Sequence, residues 1–125
     1  MIILNKANAP RYVRPEDITS YLLTSKLTGS EHLTTTLVEI SSGGMQRIHN
    51  HVPEQIYYIL EGSGLMTVGN ETARVEPGDC IFIPSQALHG LKNKGEITLR
   101  YFSAAAPSFD SEELKTFWPL GSESE

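Results

Sequence analysis

Hydrophobic and polar positions alternate with a period of two along most of this chain. The clearest run is residues 33–40. Thr34, Thr36, Val38 and Ile40 fall on one face there, and Leu33, Thr35, Leu37 and Glu39 on the other. Successive side chains of a strand point to opposite faces, and β-branched residues suit that pleated surface. Further strands are predicted at residues 55–60, 65–68, 72–75, 80–83 and 97–103, with shorter extended pieces at 45–51 and 88–91. Glycine and proline punctuate them. Glu61-Gly62-Ser63-Gly64 and Gly69-Asn70-Glu71 read as tight turns, and Glu76-Pro77-Gly78-Asp79 as a turn of type II geometry.

The pattern is weaker toward the N-terminus. Residues 2–4 are expected to form a short edge strand, broken by Asn8-Ala9-Pro10. Residues 11–14 are expected to form a second short strand, followed by a turn at Pro15-Glu16-Asp17. Residues 19–28 are rich in Thr, Tyr and Leu without helical periodicity and read as one or two strands. One short helix is predicted at residues 111–117, with Asp110 or Ser111 as its cap, Glu112 and Glu113 suiting its positive end, and Pro119 as its stop. Leu114, Phe117 and Trp118 give it an apolar side that packs on the rest of the fold, covers an opening or lies against a partner chain. The tail at 121–125 is expected to fray. Short strands spaced by Gly/Pro turns imply an all-β, antiparallel sandwich or barrel.

Composition narrows the function classes. At 125 residues and 13.8 kDa the chain is expected to form one domain. A hydrophobic content of 39% with 20% charged residues fits a folded protein. The net charge of −5 and the lack of a basic run argue against a nucleic-acid partner. No apolar run approaches the ~20 residues that span a bilayer, so no membrane association is expected. Residues 1–6 lack the pattern of a signal peptide. Cys80 is the one cysteine, which excludes an intrachain disulfide and makes a reducing cytoplasm the simplest compartment. Its place in Asp79-Cys80-Ile81-Phe82-Ile83 predicts a small core residue rather than a nucleophile.

The candidate chemistry lies in the middle of the chain. In an extended segment Met45, Arg47, His49 and His51 share one face, and Gln55, Tyr57 and Ile59 share a face of the next strand. His89 arrives from a later strand, after Pro84-Ser85-Gln86-Ala87-Leu88. Three imidazoles and a neutral carboxamide oxygen suit one divalent ion, and such ligands leave its charge uncompensated, which favours an anionic ligand in the open positions. His32 sits beside the turn Gly29-Ser30-Glu31 and reads as a solvated loop histidine.

These residues stand in a pattern that resembles the cupin superfamily. Gly43, His49, His51, Gln55 and Gly62 match the spacing of its first motif, with Gln55 where the motif has Glu. Gly78, Pro84, His89 and Asn93 match the second, with Gln86 in place of its second Gly. The resemblance covers roughly residues 33–104. It implies an antiparallel double-stranded β-helix, or jelly-roll barrel, with a short C-terminal helix, paired as a homodimer and holding one divalent metal ion per chain. Carried onto this sequence, the metal ligands are His49, His51, Gln55 and His89, and the metal is Zn, Ni, Mn or Fe. Residues 33–106 then form the cupin core. Residues 1–32 supply N-terminal strands for the barrel or a dimer interface, and residues 107–125 the helix and tail. Gln55 sets the chain apart from cupins with a His/His/Glu/His set. It is similar to those with His/His/Gln/His, which include enzymes that open unsaturated uronate sugars. Those relatives have an acid where Arg100 stands, so their substrate is not carried over. Gln86 is expected only to alter the turn before His89.

Arg47, by strand parity, and Arg100, in the last strand, are candidates to face the pocket and pair with a substrate carboxylate, the alternative for either being a solvated or ion-paired surface residue. Tyr57 and Tyr101 are candidates for hydrogen bonding or proton transfer, or for core packing. The expected function is a metal-dependent enzyme acting on a small carboxylated or sugar-acid substrate by isomerisation, ring opening or dioxygen chemistry. The alternative is a cupin that binds or senses a small ligand without catalysis.

Overall fold

A computed structural model describes residues 1–117. Two antiparallel sheets face each other. The strands are β1 (Arg11–Arg14), β2 (Ile18–Leu22), β3 (Thr34–Ile40), β4 (Met45–His49), β5 (Glu54–Glu61), β6 (Gly64–Val68), β7 (Glu71–Val75), β8 (Cys80–Ile83), β9 (His89–Lys92) and β10 (Leu99–Ala106). One sheet has the order β1-β2-β3-β10-β5-β8 and the other β4-β9-β6-β7. Helix α1 (Ser111–Phe117) follows. This is the all-β, antiparallel two-sheet architecture expected from the strand pattern and from the resemblance. Among the described residues, no helix is long and apolar enough to cross a membrane.

The period-two reading of β3 holds. Thr34, Thr36, Val38 and Ile40 are buried and the residues between them are not. β10 does the same with Leu99, Tyr101, Ser103 and Ala105 inward. The registers set these faces side by side, with Leu99 opposite Ile40, Tyr101 opposite Val38 and Ser103 opposite Thr36. The core between the sheets is built on Ile18, Val38, Ile40, Ile59, Ile83, Leu91 and Leu99. A smaller cluster of Leu22, Ala105, Phe109 and Leu114 seats α1 against one end. That helix is capped by Asp110. Its Oδ1 accepts from the Glu113 N–H at 2.8 Å, and Glu113 Oε1 accepts from the Asp110 N–H at 3.0 Å, which satisfies two free donors of the first turn. The expectations for Trp118, Pro119 and the tail lie outside the described residues.

Two local expectations, for residues 2–4 and for Cys80, are corrected, and a third, of one or two strands at residues 19–28, is met by one. Residues 2–4 form no strand; the chain there is exposed and leads into a single 3₁₀ turn at Lys6–Asn8, capped by the Asn5 side chain. Residues 19–28 contain one strand, β2. It is followed by a 3₁₀ turn at Lys26–Thr28, where Ser25 and Thr28 form a capping box and Gly29 ends the turn at φ 92°. Side-chain hydroxyls here satisfy backbone donors locally and so compete with a sheet ladder. Cys80 is exposed, because Ile81 and Ile83 take the inward positions of β8.

Candidate metal centre

His49 closes β4 and lies opposite His89, the first residue of β9, while His51 follows on the connection to β5. Their rings gather at centroid separations of 4.3 Å for His49–His89, 4.9 Å for His51–His89 and 5.5 Å for His49–His51. One ligand nitrogen from each lies within 4.8 Å of the others.

The backbone decides which nitrogen that is. Nδ1 of His49 lies 2.9 Å from the Arg47 carbonyl, Nδ1 of His51 2.9 Å from the Pro53 carbonyl, and Nδ1 of His89 2.9 Å from the Ala87 carbonyl. A carbonyl oxygen only accepts, so each Nδ1 carries the proton. Each Nε2 therefore keeps its lone pair, as a metal ligand must. His89 Nε2 is buried and has no hydrogen-bond partner. Burial, which penalises the charged ring, lowers the pKa of both His49 and His89 to about 4. Both are neutral at pH 7 and available to a cation.

Gln55 completes the set. It is buried at the start of β5, with Oε1 2.9 Å from His51 Nε2 and Nε2 donating to Ser103 Oγ at 3.2 Å. Two lone pairs then face each other at 2.9 Å. Ligands held at ~2.1 Å around one ion stand about 3.0 Å apart at right angles. A cation between the two atoms, or a turned amide, reconciles them. A turned amide leaves the orphaned His89 Nε2 unexplained. The donor set therefore fits a divalent metal, with His49, His51 and His89 as its imidazole ligands and Gln55 as a neutral oxygen donor.

The family model for the Cupin domain matches residues 36–104. The chain belongs to the cupin family. It is 40% identical over 74 residues to an uncharacterized protein of Methanocaldococcus jannaschii, an alignment covering 58% of this chain and 59% of the relative. It is 32% identical over 80 residues to a dimethylsulfoniopropionate lyase of Ruegeria pomeroyi, covering 63% of this chain and 52% of the relative. It thus spans little more than half the length of these curated relatives. Among solved structures it is similar to the polyketide cyclase RemF from Streptomyces resistomycificus. That match has a TM-score of 0.74 and 26% identity, and covers 96% of this chain and 95% of that one.

In this cupin the two candidate pocket arginines point elsewhere. Between Gln46 and His49 the register of β4 against β9 shifts by one residue. The extra residue turns both Gln46 and His49 inward and puts Arg47 and Ile48 outside. Arg47 is 75% exposed along its side chain and pairs with Glu16 at 3.0 Å. Gly90 of β9 accommodates the bulge: a Cβ there would lie 3.0 Å from both the Gln46 carbonyl oxygen and Ile48 Cγ1. Arg100 lies between the inward Leu99 and Tyr101 and so points outward. It pairs with Glu39 at 2.9 Å and with Glu61, its neighbours on β3 and β5. These hydrogen bonds raise its pKa further.

The arginine that does reach the interior is Arg14. Its Nη2 donates to Gln46 Oε1 at 2.7 Å and to Ser20 Oγ at 3.0 Å. With Gln46 it lines a small cavity shared with His49, His51, Gln55, Tyr57 and Phe109. The signal for it was present. The hairpin after Arg14 sets it opposite Ile18, and cross-strand partners share a face. Ile18 is the first buried residue of β2. Gln46 was hidden by the bulge. Tyr57 and Tyr101 stack on each other with centroids 4.2 Å apart, both buried. Desolvation pushes Tyr57 up to about 12 and Tyr101 higher than its ordinary value.

The second departure from the family motifs, Gln86, is also resolved in place. Gln86 adopts φ 70°, which explains why a glycine suits this position. Its N–H donates to the His51 carbonyl at 2.8 Å, and its own carbonyl accepts from Asn50 Nδ2 at 3.2 Å. This turn therefore ties the second motif to the first. Asn93 is a fastener: its buried Nδ2 donates to the carbonyls of Ile40 and Ile97.

Proposed function

We propose that this cupin is a metal-dependent enzyme acting on a small carboxylated molecule. The observation that carries the reading is the convergence of three histidines whose ligand nitrogens lie within 4.8 Å of one another, with a backbone carbonyl on each Nδ1 that leaves each Nε2 as the acceptor. When bound, the ion supplies a Lewis acid that polarises a substrate oxygen. The chain's own residues do the rest. His49, His51, His89 and Gln55 hold the ion with no protein carboxylate to neutralise it. Arg14 adds a second positive charge, and no acid lines the cavity among the described residues. That electrostatic balance favours an anionic substrate. Phe109, whose ring centroid lies 5.1 Å from that of His51, closes the space toward α1. Isomerisation, ring opening and oxygen insertion all suit an acid held this way. The lyase and cyclase among the similar proteins support an enzymatic use of such a barrel.

One observation favours the second reading, a cupin that binds its ligand without turnover. The two candidate proton-transfer groups, Tyr57 and Tyr101, are both buried and stacked on each other with centroids 4.2 Å apart, the arrangement of core packing.

The first test is elemental analysis of protein purified without chelator or metal-affinity resin, alongside His49→Ala. About one equivalent of Zn, Ni, Mn or Fe per chain, lost in the variant, is the expected result. Wild-type protein that neither carries nor takes up a divalent ion overturns the proposal. Turnover in a screen of hydroxy, oxo and sugar acids then separates the enzyme from the binding module.

A further inference from the structure

The interior cavity at the histidines has about 40 Å³ of free space. A second space of about 320 Å³ lies outside it, lined by Tyr12, Arg14, Gln46, Arg47, Ile48, His49 and Thr116 of α1. Arg14, Gln46 and His49 line both spaces. They form the wall between an outer vestibule and the inner site.

Arg14 holds an unusual position in that wall. Its guanidinium makes two hydrogen bonds, both through Nη2 and both to neutral oxygens. Its Nε is buried with no acceptor. Among the described residues no carboxylate forms an ion pair with it; Glu16, the nearest acid in sequence, is engaged by Arg47. Arg14 is half-buried, with its guanidinium 5.7 Å from the Tyr12 ring centroid, and arginine presents a planar fork of donors that matches a carboxylate, a partner its charge lacks here. The Gln46 amide that accepts from Arg14 has its nitrogen 3.2 Å from His49 Nδ1 and 3.4 Å from His49 Nε2. One side-chain amide therefore separates the guanidinium from a metal-ligand ring.

We propose that Arg14 is the specificity-determining anchor for the carboxylate of a short acid bearing a hydroxyl, oxo or enol oxygen on the neighbouring carbon, with that oxygen turned toward the histidine nitrogens. The inference rests on the metal reading of the site and adds to it the residue that selects the substrate class. The acid enters through the vestibule and meets the fork first. Larger substituents remain in the vestibule beside Tyr12 and Ile48.

The test uses lactate and lactamide, which match in size and differ in the carboxylate, titrated into the Co(II)-loaded full chain and followed by the cobalt absorption spectrum. Lactate is expected to bind about tenfold or more tightly than lactamide. Arg14→Gln is expected to abolish that preference while leaving cobalt content and lactamide binding unchanged. Equal losses for both ligands, or no loss for lactate, overturn the anchor and leave Arg14 a structural bridge between Ser20 and Gln46. Should Arg14→Gln fail to fold, Arg14→Lys carries the comparison. It keeps the charge and lacks the fork, so a several-fold loss for lactate alone upholds the anchor and unchanged lactate affinity overturns it. If wild-type protein takes up no Co(II), the metal reading fails by itself. Calorimetric titration of the metal-free protein then decides the anchor separately: a lactate preference lost in Arg14→Gln upholds it, and absence of any preference overturns it.

Discussion

At one end of the barrel the inward side chains are Ile18, Ile40, Leu91 and Leu99, all shut off from solvent; at the other they are Thr36, Gln55, Ser103 and the histidines. The same strands build both ends. Along β3 the inward residues run Ile40, Val38, Thr36, Thr34, and along β5 they run Ile59, Tyr57, Gln55. The apolar end stabilises the fold by removing hydrocarbon from water, roughly 1.5–3 kcal/mol for each fully buried side chain of this size. The polar end gains little from burial and must satisfy its own donors, as the 2.5 Å contact between the Thr36 and Ser103 hydroxyls does. It leaves two atoms unsatisfied, His89 Nε2 and Arg14 Nε. One alternation thus supplies both a stabilising core and a reactive lining, and the difference is only in which side chains fill the inward positions.

The comparison is tested most severely at Ile59, which is 0% exposed in the apolar half. Ile59→Ala is expected to cost about 2–5 kcal/mol in urea unfolding while the folded fraction keeps its full metal content. His89→Ala is expected to do the reverse, losing the metal with a much smaller effect on the metal-free fold. Loss of metal in both variants would mean that the two ends are not separable.

Acid distinguishes the ends next. His49 and His89 sit near 4 in the folded chain against about 6.5 unfolded. Below pH 6.5 the unfolded chain takes up protons that the folded chain refuses, so stability falls as pH falls and levels off near 4. Melting of metal-stripped protein is expected to show this decline, flattened in His89→Ala and unchanged in slope by Ile59→Ala. A melting temperature constant from pH 7 to 5 would contradict the neutral-histidine interior.

The smallest expected effect is at Gln86. A non-glycine residue at φ 70° costs roughly 1–2 kcal/mol, partly offset by the extra chain entropy of a glycine. Gln86→Gly should therefore stabilise the fold by about 0.5–1 kcal/mol, read as a raised melting temperature, with metal content unchanged.

Much of this architecture was legible because period two survives in β3, β5 and β10, and because the histidine spacing matches a known pattern. Arg100 obeys the same rule: between the inward Leu99 and Tyr101 it faces outward, toward Glu39 on β3. Arg47 is different. Its orientation depends on a bulge in β4 that becomes visible only against its partner β9, with Gly90 making room. Arg14 required the register of a hairpin, and the turn at Lys26–Thr28 required hydroxyl-to-backbone bonds that outcompete a strand. Parity is local information; bulges and cross-strand partners belong to the pair.

The three carbonyls that hold the imidazoles, from Arg47, Pro53 and Ala87, are main-chain atoms. One contact on each ring is thus set by the path of the polypeptide, with the Gln46 and Gln55 side chains adding a second contact to His49 and His51. Substitutions among the residues around the centre can retune its reactivity while the ligand nitrogens keep their aim. A barrel built in this way can change its chemistry over evolutionary time without having to reinvent its metal site.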